Sequence, residues 1–299
     1  MDKENDNKPV SRMDRPFSRR NFAKSVGMAS LSAAGALMIG SKMGILDKLP
    51  GAARLGLTSS PVHAQAAITD ADILNFALNL EYLEAEFYTV AATGKTIEES
   101  GIAVTGTGTP GPTTGGNKVN FREGFFPFGD LGGVVAFDIA EQLAYDEQQH
   151  VLLLRGALGS AAVAKPAINL EALGIGFANL RQFLQLARAF EDVGVSAYAG
   201  AAPLITSKEY LQVAAQILAV EALHSGNIRK QVQEHLVPTT PVDSLDVLPP
   251  PSGKNFFTVN SQALAIIRTT SQVLSIVYGG GTTSGGFFPD GMNGVITTA

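Results

Sequence analysis

The chain has 299 residues, 45% of them hydrophobic, and a formal net charge of −5. That suffices for a sizeable core, best arranged as one large domain, and is too acidic for the basic face that nucleic acid requires. Cysteine is absent, which excludes disulfides, thiolate metal sites, cysteine nucleophiles and a cysteine-linked lipid anchor.

Residues 1–17 are polar and lead into Ser18-Arg19-Arg20-Asn21-Phe22-Ala23-Lys24, followed by a weakly apolar Gly/Ala/Ser-rich run from Val26 to about Gly40. Twin arginines ahead of such a run resemble a Tat export signal, here with Ala23 where leucine is more usual. The alternative is a basic tail before a core helix. A membrane span needs roughly 20 apolar residues, and Lys42 interrupts the continuation of this run. Ala64-Gln65-Ala66 has the small-x-small form of a signal-peptidase site. The expectation is a signal peptide over 1–66, handled by the Tat machinery, and a mature domain over 67–299 in the periplasm or outside the cell.

Thr69 and Asp70 supply N-cap chemistry for a first helix over about 70–93, ending near Gly94. Leu74, Leu78, Glu81, Ala85 and Tyr88 share one face at helical spacing. Glu84 leans toward that face, whereas Glu86 falls toward the outside. Residues 95–129 are rich in Gly, Thr and Pro and read as a long insertion. It ends in Gly124-Phe125-Phe126-Pro127-Phe128-Gly129, expected to pack on the bundle because so many exposed phenylalanines would be costly.

A second helix is expected over about 131–158, with Ala140, Leu143, Glu147, His150, Val151 and Leu154 inward. A connector with Pro166 follows, then a third helix over about 178–201 carrying Leu184, Ala187, Glu191, Val195 and Tyr198 on one side. Pro203 ends it. Ser207 caps a fourth helix over about 207–236, whose inward stripe is Ala214, Ile217, Glu221, His224 and Ile228. Residues 237–257, with Pro249-Pro250-Pro251, read as a non-helical strap. A fifth helix is expected over 258–278, started by Thr258 or Asn260. No strand pattern stands out.

Chemistry concentrates in Glu147-Gln148-Gln149-His150 and Glu221-Ala222-Leu223-His224. Each puts a carboxylate and an imidazole about one turn apart on one helix face. Each has an upstream glutamate on the preceding helix with a tyrosine seven residues later: Glu81 with Tyr88, Glu191 with Tyr198. Four carboxylates buried among apolar residues are expensive unless a cation neutralises them. Four glutamates and two histidines so arranged can hold two metal ions in a helix bundle. The ligand set favours iron or manganese over copper, and residue type alone also admits zinc. Tyr88 and Tyr198 either fill core space or orient ligating glutamates by hydrogen bonds. Glu84 is an extra ligand, an acid beside the site, or a solvated residue; in the second half Gly194 stands in its place. His235 is expected at the surface near the fourth helix's C-terminus. Arg155 and Arg188 lie near the stripes without an assigned role.

Glu81, Glu147-x-x-His150, Glu191 and Glu221-x-x-His224 resemble the ligand pattern of the ferritin-like superfamily. The stretch Leu80–Tyr88 and Gly286-Phe287-Phe288-Pro289 are similar to its branch of exported bacterial ferritin-like and plant desiccation-related proteins. The resemblance covers roughly residues 68–299. It implies an all-α four-helix bundle with one long crossover, here with a fifth C-terminal helix and long Gly/Pro/Thr-rich loops. The geometry agrees: helices of about 25 residues are roughly 37 Å long, and the 159–176 connector, reaching about 60 Å when extended, can run the length of the bundle. The resemblance further implies ferroxidase, oxygen-reducing, peroxidase or manganese-catalase chemistry on peroxide or dioxygen. Glu81 and Glu191 would then be terminal ligands, Glu147 and Glu221 bridges, and His150 and His224 one ligand on each metal. The alternative is a protective or envelope-binding protein whose metals serve stability. The loop-rich periphery offers surfaces for envelope components or copies of itself. The insertion departs from compact ferritins, which argues against a storage shell.

Overall fold

A computed structural model describes residues 67–121 and 130–299, with side chains from Ala136 onward along the helix that starts at Asp130. The twin-arginine segment, the Ala64-Gln65-Ala66 site and the phenylalanine-rich tip at 124–129 lie outside the described residues. Four long helices form the body: α1 (Asp70–Thr93), α2 (Asp130–Leu158), α3 (Leu180–Ala201) and α4 (Lys208–Glu234). A short α5 (Thr270–Val277) follows, and two two-residue strands, β1 (Thr113–Thr114) and β2 (Ile168–Asn169), pair in parallel.

Local chemistry sets the helix ends. Thr69 and Asp72 form a reciprocal capping box on α1, and Gly94 closes it in the left-handed conformation (φ 79°) that glycine adopts without a Cβ penalty. Asn179 caps α3 and Ser207 caps α4, each accepting a backbone N–H of the first turn. His235, expected at the surface, is half-buried at the C-cap of α4, its ring 3.0 Å from the Gln231 side chain.

Side-chain contacts give the helix directions. Tyr82 meets Arg155 and Thr89 meets Gln148, so α1 and α2 run antiparallel. Tyr88 meets Glu191 while Tyr198 meets Glu81, so α3 also runs against α1. Helices α2 and α3 are therefore parallel, and the long 159–179 connection is the crossover of a four-helix bundle.

Helix α1 is buried around nearly its whole circumference from Ile73 to Ala92. The cause is the chain's irregular segments, which lie against its outer face. The 95–121 stretch runs beside the α2–α3 connection, joined through Thr107 and Val163 and through β1 and β2. Asn293 from the C-terminal tail ties both to the bundle. Its amide donates to the Thr109 and Ala164 carbonyls at 2.9 Å, and Asn79 on α1 donates to its backbone carbonyl at 2.8 Å. Phe287 packs on Phe190 of α3, ring centres 5.1 Å apart.

This wrapping overturns the outward placement of Glu86. Its carboxylate is fully buried and accepts from Lys165 Nζ and Thr113 Oγ1, each at 2.7 Å, and from the Ile97 amide at 3.1 Å. Lys165 comes from the connection and Thr113 from β1, so one carboxylate fastens both outer segments to α1.

The fifth helix is shorter than expected. Residues 258–269 are not helical; the chain turns at Asn260, whose side-chain oxygen accepts from the Gln262 and Leu264 amides at 2.9 and 3.1 Å. That local capture of backbone donors competes with helix formation. Helix α5 starts only at Thr270, where the N-cap Thr269 and Gln272 form a capping box. Arg188, which had no expected role, is buried on α3 and forks onto Asp246 at 2.8 and 2.7 Å, holding the proline-rich strap. Arg155 reaches Tyr82 and the Thr105 carbonyl of the insertion.

Candidate metal centre

Each long helix sends carboxylate or imidazole groups to the bundle axis: Glu81 from α1, Glu147 and His150 from α2, Glu191 from α3, Glu221 and His224 from α4. All six are buried, the four glutamates completely. The inward stripes explain this, since each acid sits at helical spacing among apolar residues that the core requires.

The six side chains form two overlapping quartets. Glu81, Glu147, His150 and Glu221 make one; Glu147, Glu191, Glu221 and His224 make the other. Within each, one ligand atom per residue lies within 4.8 Å of the others. Glu147 and Glu221 belong to both. The imidazole rings of His150 and His224 lie 6.2 Å apart, centre to centre.

Both histidines turn Nδ1 toward the carboxylates. His150 Nδ1 is 3.0 Å from Glu147 and 3.2 Å from Glu81. His224 Nδ1 lies 2.9 Å from Glu147 Oε1, yet off the hydrogen-bonding direction, so neither atom is satisfied. The other nitrogen of His224, Nε2, is 3.2 Å from Asp146 Oδ2, a contact that fixes the ring's orientation. Asp146 was not among the expected site residues. Its signal is slight: one more acid on α2, four residues before His150, with a partner 78 positions away.

The tyrosines cross the bundle. Tyr88 on α1 donates to Glu191 Oε1 on α3 at 2.5 Å, and Tyr198 on α3 donates to Glu81 Oε1 on α1. Burial first, then the adjoining glutamates, push both phenols well above their ordinary pKa, so they remain donors. Glu84 is buried beside this cluster rather than solvated. Gly194 makes room for it: a Cβ there would lie 2.4 Å from Glu221 Oε2 and 3.2 Å from Glu84 Oε1.

Without a cation the cluster balances its charge with protons. Burial disfavours imidazolium, but Glu81 and Glu147 outweigh it and push His150 up to about 11. Glu147 and Glu191 likewise push His224 up to about 12. Burial also opposes ionisation of Glu147, yet its close approach to both histidines holds it below the usual carboxylate range. Burial, then repulsion from Glu147, raises Glu221 well above its usual value. Burial and Glu221 do the same to Glu84.

Even so, Glu147 Oε1, Glu191 Oε2, both Glu221 oxygens and His224 Nδ1 are buried without hydrogen-bond partners. Unsatisfied buried polar atoms are rare and costly in a core. Five of them gathered on residues of two overlapping N/O quartets fit divalent cations, and the cluster can hold metal ions.

The wider comparison agrees with this fold. Residues 69–234 match the family described as Ferritin-like domain, and the chain belongs to that family. It is 31% identical to the desiccation-related protein PCC13-62 of Craterostigma plantagineum over 183 residues, 56% of this chain. The chain thus spans about half (54%) of that relative's length. It is 24% identical to the ferritin-like catalase Nec2 of Nesocodon mauritianus over 279 residues, covering 76% of this chain and 84% of the relative.

Proposed function

We propose that this is an exported protein with a carboxylate-bridged dinuclear iron or manganese centre that handles peroxide or dioxygen under stress. One observation carries the reading: Glu147 and Glu221 belong to both quartets, the arrangement that bridging ligands require. Glu81 and His150 would complete one metal, Glu191 and His224 the other. Such a metal pair, when bound, supplies redox equivalents to peroxide or dioxygen. The protein's part is to orient Glu191 and Glu81 through Tyr88 and Tyr198, to fix the His224 ring through Asp146, and to keep bulk water from the carboxylates. Similarity to a relative named a catalase supports peroxide as a substrate.

The test is elemental analysis of the purified mature protein, with assays of peroxide disproportionation and ferrous oxidation. About two metals per chain with turnover is the expected result; fewer than one iron or manganese per chain after reconstitution overturns it. A second reading, a desiccation or stress protein with a purely structural metal site, is favoured by the relative named desiccation-related. Two metals without turnover, and lower stability on metal removal, would decide for it.

A further inference from the structure

A cleft of about 580 Å³ opens between α1, α3, α5 and the strap at Thr240–Ser244. Its walls are chiefly apolar, with Leu83 from α1, Leu186 and Phe190 from α3, Val242 from the strap and Ile276 from α5. Glu84 and Gly194 also line it. The Glu221 carboxylate lies directly against Gly194, 2.4 Å from where a Cβ would stand, so the floor of the cleft adjoins the edge of the candidate metal centre.

Two properties define what fits there. The volume far exceeds the needs of peroxide or dioxygen, molecules comparable to water at roughly 30 Å³. It falls in the range of pockets that bury small organic ligands, roughly 300–1,000 Å³. The polar opportunity is equally specific. Glu84 is 5% exposed, and no hydrogen bond among the described residues reaches its carboxyl. Asp243, the other acid on the wall, is engaged by the Arg268 guanidinium at 2.7 and 2.8 Å.

We propose that this cleft is a binding site for a neutral, largely apolar small molecule with a single hydroxyl-type head group, held with its head on Glu84. The apolar body lies along Leu83, Leu186, Phe190 and Ile276, and the head meets Glu84 on the cleft floor. An anionic head is rejected, because it would be buried against the Glu84 carboxyl with no cation among the described residues of the cleft wall free to meet it. The inference deepens the metal-centre reading and rests on it for any chemistry done on the ligand, but the binding itself does not need metal.

The probe is 2-naphthol, titrated calorimetrically into the mature protein, with naphthalene and naphthalene-2-sulfonate as comparisons. Saturable binding of one 2-naphthol is expected, with roughly fivefold preference over naphthalene from the one hydrogen bond and no binding of the sulfonate. Glu84→Leu should erase that preference while leaving naphthalene bound. Ala189→Trp, inside the cleft, and Ser275→Trp, at an exposed position on its mouth, should each weaken 2-naphthol more than tenfold. The Ser275 variant keeps the test sound if the Ala189 variant fails to fold. Absence of saturable binding, or binding indifferent to both tryptophans, overturns the proposal. Metal content of the same samples separates the two readings. Metal without 2-naphthol sinks the cleft alone, whereas 2-naphthol bound to a chain that takes up no metal upholds the cleft and sinks the centre.

Discussion

The hydroxyl of Tyr88 on α1 donates to Glu191 on α3, at the far side of the candidate centre from its own helix partner Glu81. The reciprocal bond joins Tyr198 to Glu81. Each tyrosine thus orients the glutamate of the opposite half. Tyr88→Phe should weaken metal binding about 10–100-fold, the usual cost of removing a group that orients a ligand. Chelator competition on the folded variant checks this, and unchanged affinity would reduce the tyrosine to a core filler.

Gly194→Ala separates fold from site. The new methyl would meet the end of the Glu221 side chain at 2.4 Å, so Glu221 must swing away while the backbone stays. Alanine favours the helix by about 1 kcal/mol over glycine, which offsets the crowding. The expected outcome is near-unchanged urea stability of the metal-free protein with metal content reduced by half or more.

The pH response of the metal-free protein follows from the histidines. Their folded pKa values, about 11 for His150 and about 12 for His224, lie above the ordinary 6.5. Their stabilisation is therefore complete below pH 6.5 and lost as pH rises through those values. Glu81, raised from 4.5 to about 7 mainly by burial, adds to the decline over its own window. Glu147, held low, contributes above its ordinary 4.5 and loses that only as pH falls. Urea unfolding should show less stability at pH 9 than at pH 6. Because metals take neutral imidazoles and ionised carboxylates, uptake at pH 7 should also release more than two protons per chain, one from each histidine and the rest from raised glutamates such as Glu221. Calorimetry in buffers of different ionisation heat reads that number directly.

Lys165→Met leaves Glu86 buried without its cation, at a cost of about 3–5 kcal/mol. Lys165→Met with Glu86→Leu should recover most of it, since removing both partners leaves no orphaned charge. A single-variant cost below about 1 kcal/mol in urea denaturation would mean that the ion pair does not hold the outer segments.

Export has its own test. Arg19→Lys with Arg20→Lys should leave the precursor in the cytoplasm, and unchanged secretion would refute the Tat assignment.

The bundle and its polar axis were legible because both obey one rule, a buried stripe at helical spacing. Every residue placed on the four stripes is buried, and Gly194 already stood out as the gap opposite Glu84. Glu86 escaped because one stripe presumes one buried face. Helix α1 has its outer face covered by loops with no periodicity of their own, and Lys165 lies 79 residues away. The start of α5 departs from the pattern for a different reason: Ala263, Ile266 and Ile267 suit a helix, but the Asn260 side chain captures the amides that would begin one. Asp146 and the Glu84 cleft depend on contacts among helices, strap and α5, which no spacing within one segment encodes.

The Asn79–Asn293 contact bears on the order in which the molecule can be made. It joins partners 214 residues apart, so it forms only after everything between them has been made. Until then the Asn79 amide lacks one of its two acceptors and the seam over α1 lacks its clasp. Closure of so long a loop is slow. The seam over α1 is therefore expected to close after the shorter-range contacts between neighbouring helices have formed.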